Sequence, residues 1–371
     1  MRRKYERQFI MNIDLRTSPW LDIPVTLGEL ELANPIVMAP MTRDRAGSGD
    51  VPTGDMVEYY RQRAGAGLIV TEGTQPSPEG KGYWRTPGIY SEAQIAGWAR
   101  VAEAVHAEGG RIVMQLMHCG RVVVAANRGF EGDVVAPSPL PCPDQVPGPD
   151  GIPADTAMPR ALEEGDMERV AAQFAQAARN ARTAGLDGVE LHCASGYLVN
   201  QFLNPASNRR SDAWGGDAER RARFPALVME ALTDAIGAGR VGIRISPGNR
   251  YNGMDVSDPE SDFAPFLKAA DRLGLAYLHL LDMSGERFDA RALVRAHWSG
   301  PVILNNMLTP ASAKAAIAEG RAAAVSFGRA FIANPDLVER LRAGAPLAKP
   351  DYARLYTGEA KGYIDYPRWT D

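Results

Sequence analysis

The stretch LHCASGYLVNQFLNP, residues 191–205, follows an apolar, β-favouring run, Gly188–Val189–Glu190–Leu191, with three polar side chains: His192, Ser195 and Tyr197. Imidazole, hydroxyl and phenol can each donate a hydrogen bond, and a phenol of ordinary pKa, about 10, is protonated at neutral pH. Strand alternation sorts their directions. In GVELH, Val189 and Leu191 share a face suited to packing on helices, while Glu190 and His192 share the inward one. By the same rule VGIRIS turns Arg244 and Ser246 inward, and RIVMQLMH turns Gln115 and Met117 the same way. Three strands therefore place Gln115, His192 and Arg244 inward near their C-terminal ends, where barrel enzymes build their sites. A metal centre is not expected. His118–Cys119 and His192–Cys193 are adjacent strand residues that point to opposite faces, and no C-x-x-C or H-x-x-x-H accompanies them. A Schiff-base site is poorly served too, since none of the six lysines lies inside an expected strand.

The elements that must position these groups are eight short apolar runs alternating with longer amphipathic ones. Strands are expected at Ile36–Ala39, Gly67–Thr71, Arg111–Leu116, Gly188–His192, Val241–Ser246, Ala276–Leu281, Pro301–Leu304 and Ala323–Phe327. Helical periodicity fills Glu92–Ala107, Asp166–Ala184, Ala218–Ile236 and Ala311–Ala318, with Ser91 as an N-cap and Gly109, Gly185, Gly237 and Gly320 as stops. Eight strand–helix units without a compositional break predict an α/β fold, a closed (β/α)₈ TIM barrel. The segment Val135–Arg160, with eight prolines, is too long for an ordinary connection and reads as a lid or hairpin excursion after strand 3. Residues 1–20 read as an N-terminal extension, disordered rather than a signal peptide, and residues 21–371 as one domain. The aromatic tail ending in GYIDYPRW is expected to dock.

The 371 residues are 45% hydrophobic and 23% charged, as in ordinary globular proteins, and their net charge of −4 argues against nucleic acid as a partner. No apolar run approaches the roughly 18 residues of a membrane span. Three unevenly spaced cysteines, Cys119, Cys142 and Cys193, suit a reducing compartment, and a cytoplasmic location is expected. Neither G-x-G-x-x-G nor a P-loop occurs, although barrels bind phosphates by other means, with loop amides and a short helix N-terminus.

Eight segments in order carry a more specific signal: LANPIVMAPMTRDRA, GLIVTEGT, GYWRTPGIYS, RIVMQLMHCGR, AGLDGVELHCASGYLVNQFLNPASNRRSDAWGGDAERRARF, VGIRISP, AAVSFGRAFIANPDLVERL and GYIDYP. From about Leu27 to Pro367 the chain resembles the old yellow enzymes, FMN-dependent ene-reductases of the N-ethylmaleimide and pentaerythritol tetranitrate reductase type. The resemblance implies non-covalent FMN at the barrel mouth, reduced by NADPH or NADH and reoxidised, ping-pong, by an activated alkene. It assigns the flavin surroundings to Ala39, Pro40, Met41, Thr42, Gly73, Gln115 and Arg244, and the phosphate to Asn306, Gly328 and Arg329. Thr42 would bond the C4 carbonyl, Arg244 would face N1 and the C2 oxygen, and Gly73 would let the backbone approach the ring. His192 would donate to the substrate oxygen and Tyr197 would protonate the α-carbon, with Tyr83, Met117 and Tyr363 lining the pocket.

Two positions depart from the family pattern. Ser195 replaces the second His or Asn donor, and Met117 replaces a pocket-floor tryptophan. Both changes remove bulk, so a roomier site is expected; Ser195 either binds substrate through its shorter hydroxyl or only caps the turn. The altered donor pair leaves two other readings open, a flavin barrel that isomerises or dehydrogenates one biosynthetic intermediate and a flavin-binding barrel without turnover. A monomer or homodimer acting on a small molecule is expected.

Overall fold

The computed structural model describes residues 20–285 and 288–370; residues 1–19 of the expected 1–20 extension lie outside them, while Trp20 opens a short 3₁₀ turn, Trp20–Asp22. Eight parallel strands close a barrel in sequential order: β1 (Ile36–Met38), β2 (Leu68–Val70), β3 (Ile112–Leu116), β4 (Gly188–Cys193), β5 (Val241–Ile245), β6 (Tyr277–Leu281), β7 (Val302–Asn305) and β8 (Ala324–Phe327). Each lies within one residue of its expected bounds. The helices that follow them are α1 (Gly54–Gln62), α2 (Glu92–Ala107), α3 (Asp166–Thr183), α4 (Arg223–Ile236), α5 (Pro259–Leu273), α6 (Ala290–His297), α7 (Pro310–Ala318) and α8 (Leu337–Ala343). Ser91 and Gln94 form a full capping box at the start of α2. The single helix expected over Ala218–Ile236 is instead broken at Ala222, because Pro225 has no N–H for the carbonyl four residues back.

The alternating faces sort as the pattern dictates. Met114, Leu116, Val189, Leu191, Cys193, Ile243 and Ile245 join the large core shared with helix residues such as Phe174 and Val228. Inside the barrel, Val37, Leu68, Val70, Val113, Tyr277, Ile303 and Ala324 form a separate apolar layer. A hairpin of Val25–Leu27 and Leu30–Leu32 packs into that layer and plugs the N-terminal end. Gly242 admits the Tyr277 ring there, since a Cβ on it would lie 2.2 Å from Tyr277 Cζ. The polar inward residues are thereby left for the C-terminal end.

The excursion after β3 contains a short antiparallel pair, Val146–Pro147 with Pro153–Ala154, and a parallel pair, Val135–Ala136 with Arg160–Ala161. It leans on the loop after β5, where Asn252 N–H donates to Asp144 (2.7 Å). The tail docks as its aromatic content suggested. Arg43 Nη2 donates to Gly362 O (2.8 Å) and Arg43 Nε to Leu355 O (2.9 Å), while the ring of Tyr363 stacks on Tyr59 at 4.1 Å.

Candidate active site

Parallel register places Gln115 beside Glu190, and His192 beside Arg244 beside His279. Cross-strand neighbours in a parallel sheet point the same way, so these five side chains form a polar zone above the apolar plug, Gln115 and Glu190 in one row and His192, Arg244 and His279 in the next. Gln115 Nε2 donates to Glu190 Oε1 (2.8 Å), and Glu190 Oε2 accepts from His279 Nδ1 (2.8 Å). With Nδ1 donating, His279 Nε2 is the acceptor for Ser326 Oγ (2.7 Å) and Arg244 Nη1 (2.7 Å). Arg244 Nη2 donates to Asn305 Oδ1 (3.0 Å), whose own amide donates to Ser326 O (3.0 Å). Burial opposes a charge on Glu190, yet His279, Arg244 and Gln115 hold its carboxyl below the usual range. Burial and the Arg244 cation push His279 down to about 4, so it is neutral and bridges the Glu190 carboxylate and the Arg244 guanidinium.

His192 sits one turn of the pleat above Glu190, with 8% of its surface exposed. The Ala194 N–H donates to its Nδ1 (3.2 Å), which places the ring proton on Nε2. Burial, and then the Arg244 charge, push His192 down to about 3. It is therefore a neutral N–H donor, not an acid. The His192 ring meets the edge of Tyr197 at 4.9 Å. The Tyr197 hydroxyl shares a 2.9 Å hydrogen bond with Tyr83, and burial holds both phenols well above their ordinary pKa. Both rings belong to an apolar cluster with Met117, Cys119, Val122, Val123 and Val146.

Ser195 takes a left-handed backbone, φ 55°, immediately before Gly196. Its N–H donates to Ser246 Oγ (2.9 Å), its carbonyl accepts from Asn252 (2.8 Å), and its Oγ accepts from Asn249 Nδ2 (3.3 Å). The residue is thus tied to the loop after β5 on all sides, and the hydroxyl proton remains available to donate.

One expectation changes. Tyr363 does not line the pocket: its ring is wholly buried between Tyr59 and the guanidinium groups of Arg43 and Arg45, with no surface for a ligand. The tail instead offers Tyr356, 57% exposed and close enough to Tyr197 to perturb its phenol. Gly73 packs on Met117, where a Cβ would lie 2.6 Å from Met117 Cε. Met117 itself is buried beneath the tyrosine pair.

Ala39 is buried at the end of β1, tied to Phe327 O (3.0 Å), and Pro40, Met41 and Thr42 continue from it half-buried. Gly328 faces Met41 and precedes the exposed Arg329, whose Nη2 lies 2.8 Å from Met307 Sδ. Asn306, φ 120°, turns its amide onto the Asp282 carbonyl. Of the residues not anticipated, His279 was accessible to the same alternation that found Arg244; Asn249, Tyr251 and Tyr356 stand on loops without periodicity. A cavity of about 430 Å³ beside the N-terminal hairpin, lined by Glu31, Asn34, Glu108 and Arg111, contains none of the candidate residues. Among the described residues no His, Cys, Asp and Glu cluster could hold a metal.

Residues 21–348 match the model of the NADH:flavin oxidoreductase / NADH oxidase family. The chain belongs to this family, the old yellow enzymes. It is similar to chanoclavine-I aldehyde reductase from Penicillium roqueforti, 42% identical over 92% of this chain and 95% of that one. A probable flavin mononucleotide-dependent alkene reductase from Leishmania infantum is 39% identical over 93% of this chain and 96% of its own. Among solved structures, morphinone reductase superposes with a TM-score of 0.89 at 42% identity, covering 95% of this chain and 96% of the other. The old yellow enzyme homologue from Zymomonas mobilis gives 0.90 at 39% identity, covering 94% and 99%.

This old yellow enzyme carries a donor set that fits FMN. Arg244 and Gln115 present a fixed cation and an amide from the two strands that flank β4, and neither Arg244 Nε nor the Thr42 hydroxyl has a hydrogen-bond partner among the described residues. Cation, amide and hydroxyl match the carbonyl-rich edge of a flavin, and exposed Arg329 suits its phosphate.

Proposed function

We propose that the protein is an FMN-dependent ene-reductase that uses NADPH or NADH to reduce the C=C bond of α,β-unsaturated carbonyl or nitro compounds. The observation that carries this reading is the pairing, on one strand end, of a neutral His192 donor with a protonated Tyr197 beside a flavin-type donor set. When bound, FMN would supply the hydride chemistry between NAD(P)H and the β-carbon of the alkene.

The chain's own groups do the rest. Arg244, Gln115 and Thr42 would hold the polar edge of the cofactor, with Ala39, Pro40 and Met41 beside it. Arg329, Gly328 and Asn306 would take the phosphate. His192 Nε2–H donates to the carbonyl or nitro oxygen and draws electron density from the alkene, with Ser195 as a second, shorter donor. Tyr197 donates a proton to the α-carbon. Tyr83 and Met117 bound the substrate, and the excursion over Val135–Arg160 acts as a lid through its contact with the loop after β5.

Residues 21–371 form one domain in this reading, supported by the closed barrel and the docked tail. Three buried free cysteines support a reducing, cytoplasmic setting, with the chain as monomer or homodimer. The first test is optical. The purified protein is expected to be yellow and to bleach anaerobically on NADPH or NADH. A colourless preparation that takes up no added FMN would contradict the reading.

A further inference from the structure

Once Tyr197 gives up its proton, a phenolate remains in an apolar cluster of Met117, Cys119, Val122 and Val146, where burial strongly disfavours charge. The site therefore needs a way to restore that proton without a long-lived buried anion. The Tyr197 hydroxyl is 2.9 Å from the Tyr83 hydroxyl, with the rings edge-on at 6.2 Å and 77°. Among the described residues Tyr83 is the hydrogen-bond partner of that hydroxyl. Tyr83, on the loop after β2, is only half-buried, so its side chain keeps access to water at the mouth. Two phenols thus stand in series between water and the reacting carbon, on two separate loops.

We propose that Tyr83 is a positioning residue that resupplies Tyr197, passing a proton inward from water at the mouth as Tyr197 protonates the substrate. The inference rests on the reading of Tyr197 as the proton donor. As the new C–H bond forms at the α-carbon, the Tyr197 O–H bond breaks. The Tyr83 proton moves to the Tyr197 oxygen, and Tyr83 takes a proton from water or a protonated buffer molecule at the mouth. No electron moves in these transfers. Phenols are suited to this duty, because each hydroxyl donates and accepts at once.

The test is alkene turnover by the FMN holoenzyme with Tyr83→Phe, Tyr197→Phe and the double variant, each at increasing imidazole buffer concentration. Tyr83→Phe is expected to lower turnover by about tenfold, a fraction of what a positioned general acid supplies. Buffer is expected to restore most of that loss, while leaving the parent unchanged. In the Tyr197→Phe background, adding Tyr83→Phe is expected to change turnover by less than about twofold, since a relay has no recipient there. An equal loss in both backgrounds, no loss, or a loss that buffer does not repair overturns the relay. If Tyr83→Phe loses its flavin, the parent enzyme carries the test through its proton inventory in mixtures of H2O and D2O: a curved dependence of alkene turnover, from two protons in flight, is expected, and a linear one overturns the proposal. A parent that reduces no alkene at all defeats the ene-reductase reading itself, a result distinct from failure of the relay alone.

Discussion

His192 illustrates how a backbone contact sets chemistry. The Ala194 N–H fixes the Nε2–H tautomer, and burial keeps the ring neutral down to about pH 3. Because this pKa is lowered, His192 gains no proton across the working range. Alkene reoxidation of the reduced enzyme is therefore expected to show no histidine step between pH 5 and 9; an inflection near 6.5 would contradict the assignment. His192→Ala is expected to slow that reoxidation by about 10²–10³-fold, the size of one lost oxyanion donor. Ser195 yields a separate prediction. Its hydroxyl is shorter than an imidazole and is held by Asn249, so a phenolate inhibitor that would bridge His192 and a second donor is expected to bind weakly. Titration of the charge-transfer band is expected to show Ser195→His tightening phenolate by about tenfold, one hydrogen bond to a charged group; equal affinities would count against it. Strand alternation made His192, Gln115 and Arg244 legible in the sequence. It could not show that Ser195 bends to φ 55° and bonds a different loop, because that contact spans 54 positions and has no period.

The elements arrange charge as well as shape. The loop after β1 buries Arg43 and Arg45 against the tail, and between them Asp44 Oδ1 is buried without a hydrogen bond. Burial, and then Glu72, raise Asp44 to about 8, against the pull of Arg45, Arg85 and Arg43. With the folded pKa above the unfolded value, the folded chain binds a proton that the unfolded chain lacks between about pH 4 and 8. Stability falls with rising pH through that window and levels off above it. Asp44→Asn removes this residue's share of the slope, so its melting temperature is expected to match the parent at pH 4 and exceed it at pH 8.5. An advantage equal at both pH values would contradict this. All eight strands were legible to within one residue, because buried parallel strands are short apolar runs bounded by turn residues. The tail was legible as docked, but not in register. Its aromatics Tyr356 and Tyr363 carry no pattern saying which faces the mouth; only the stacking of Tyr363 on Tyr59 and the guanidinium contacts decide it.

At the scale of the whole molecule the barrel works as a one-ended vessel. An apolar layer and the N-terminal hairpin seal one end, the Glu190 carboxylate and Arg244 guanidinium bridged by neutral His279 come next, and the donors stand at the open end. That order makes the ordinary architecture of an old yellow enzyme a consequence of where each strand switches from apolar to polar inward residues. Among the described residues no helix is long and apolar enough to cross a membrane. The central claim is that this mouth passes reducing equivalents from NAD(P)H to an activated alkene. It is tested most directly by reducing the holoenzyme anaerobically with one equivalent of NADPH or NADH and then adding enones, maleimides, nitroalkenes or nitrate esters, with the products identified. Return of the flavin spectrum with one saturated product per flavin from an enone, maleimide or nitroalkene is the expected result. A reduced enzyme that is reoxidised by oxygen but yields no saturated product from any alkene would contradict it.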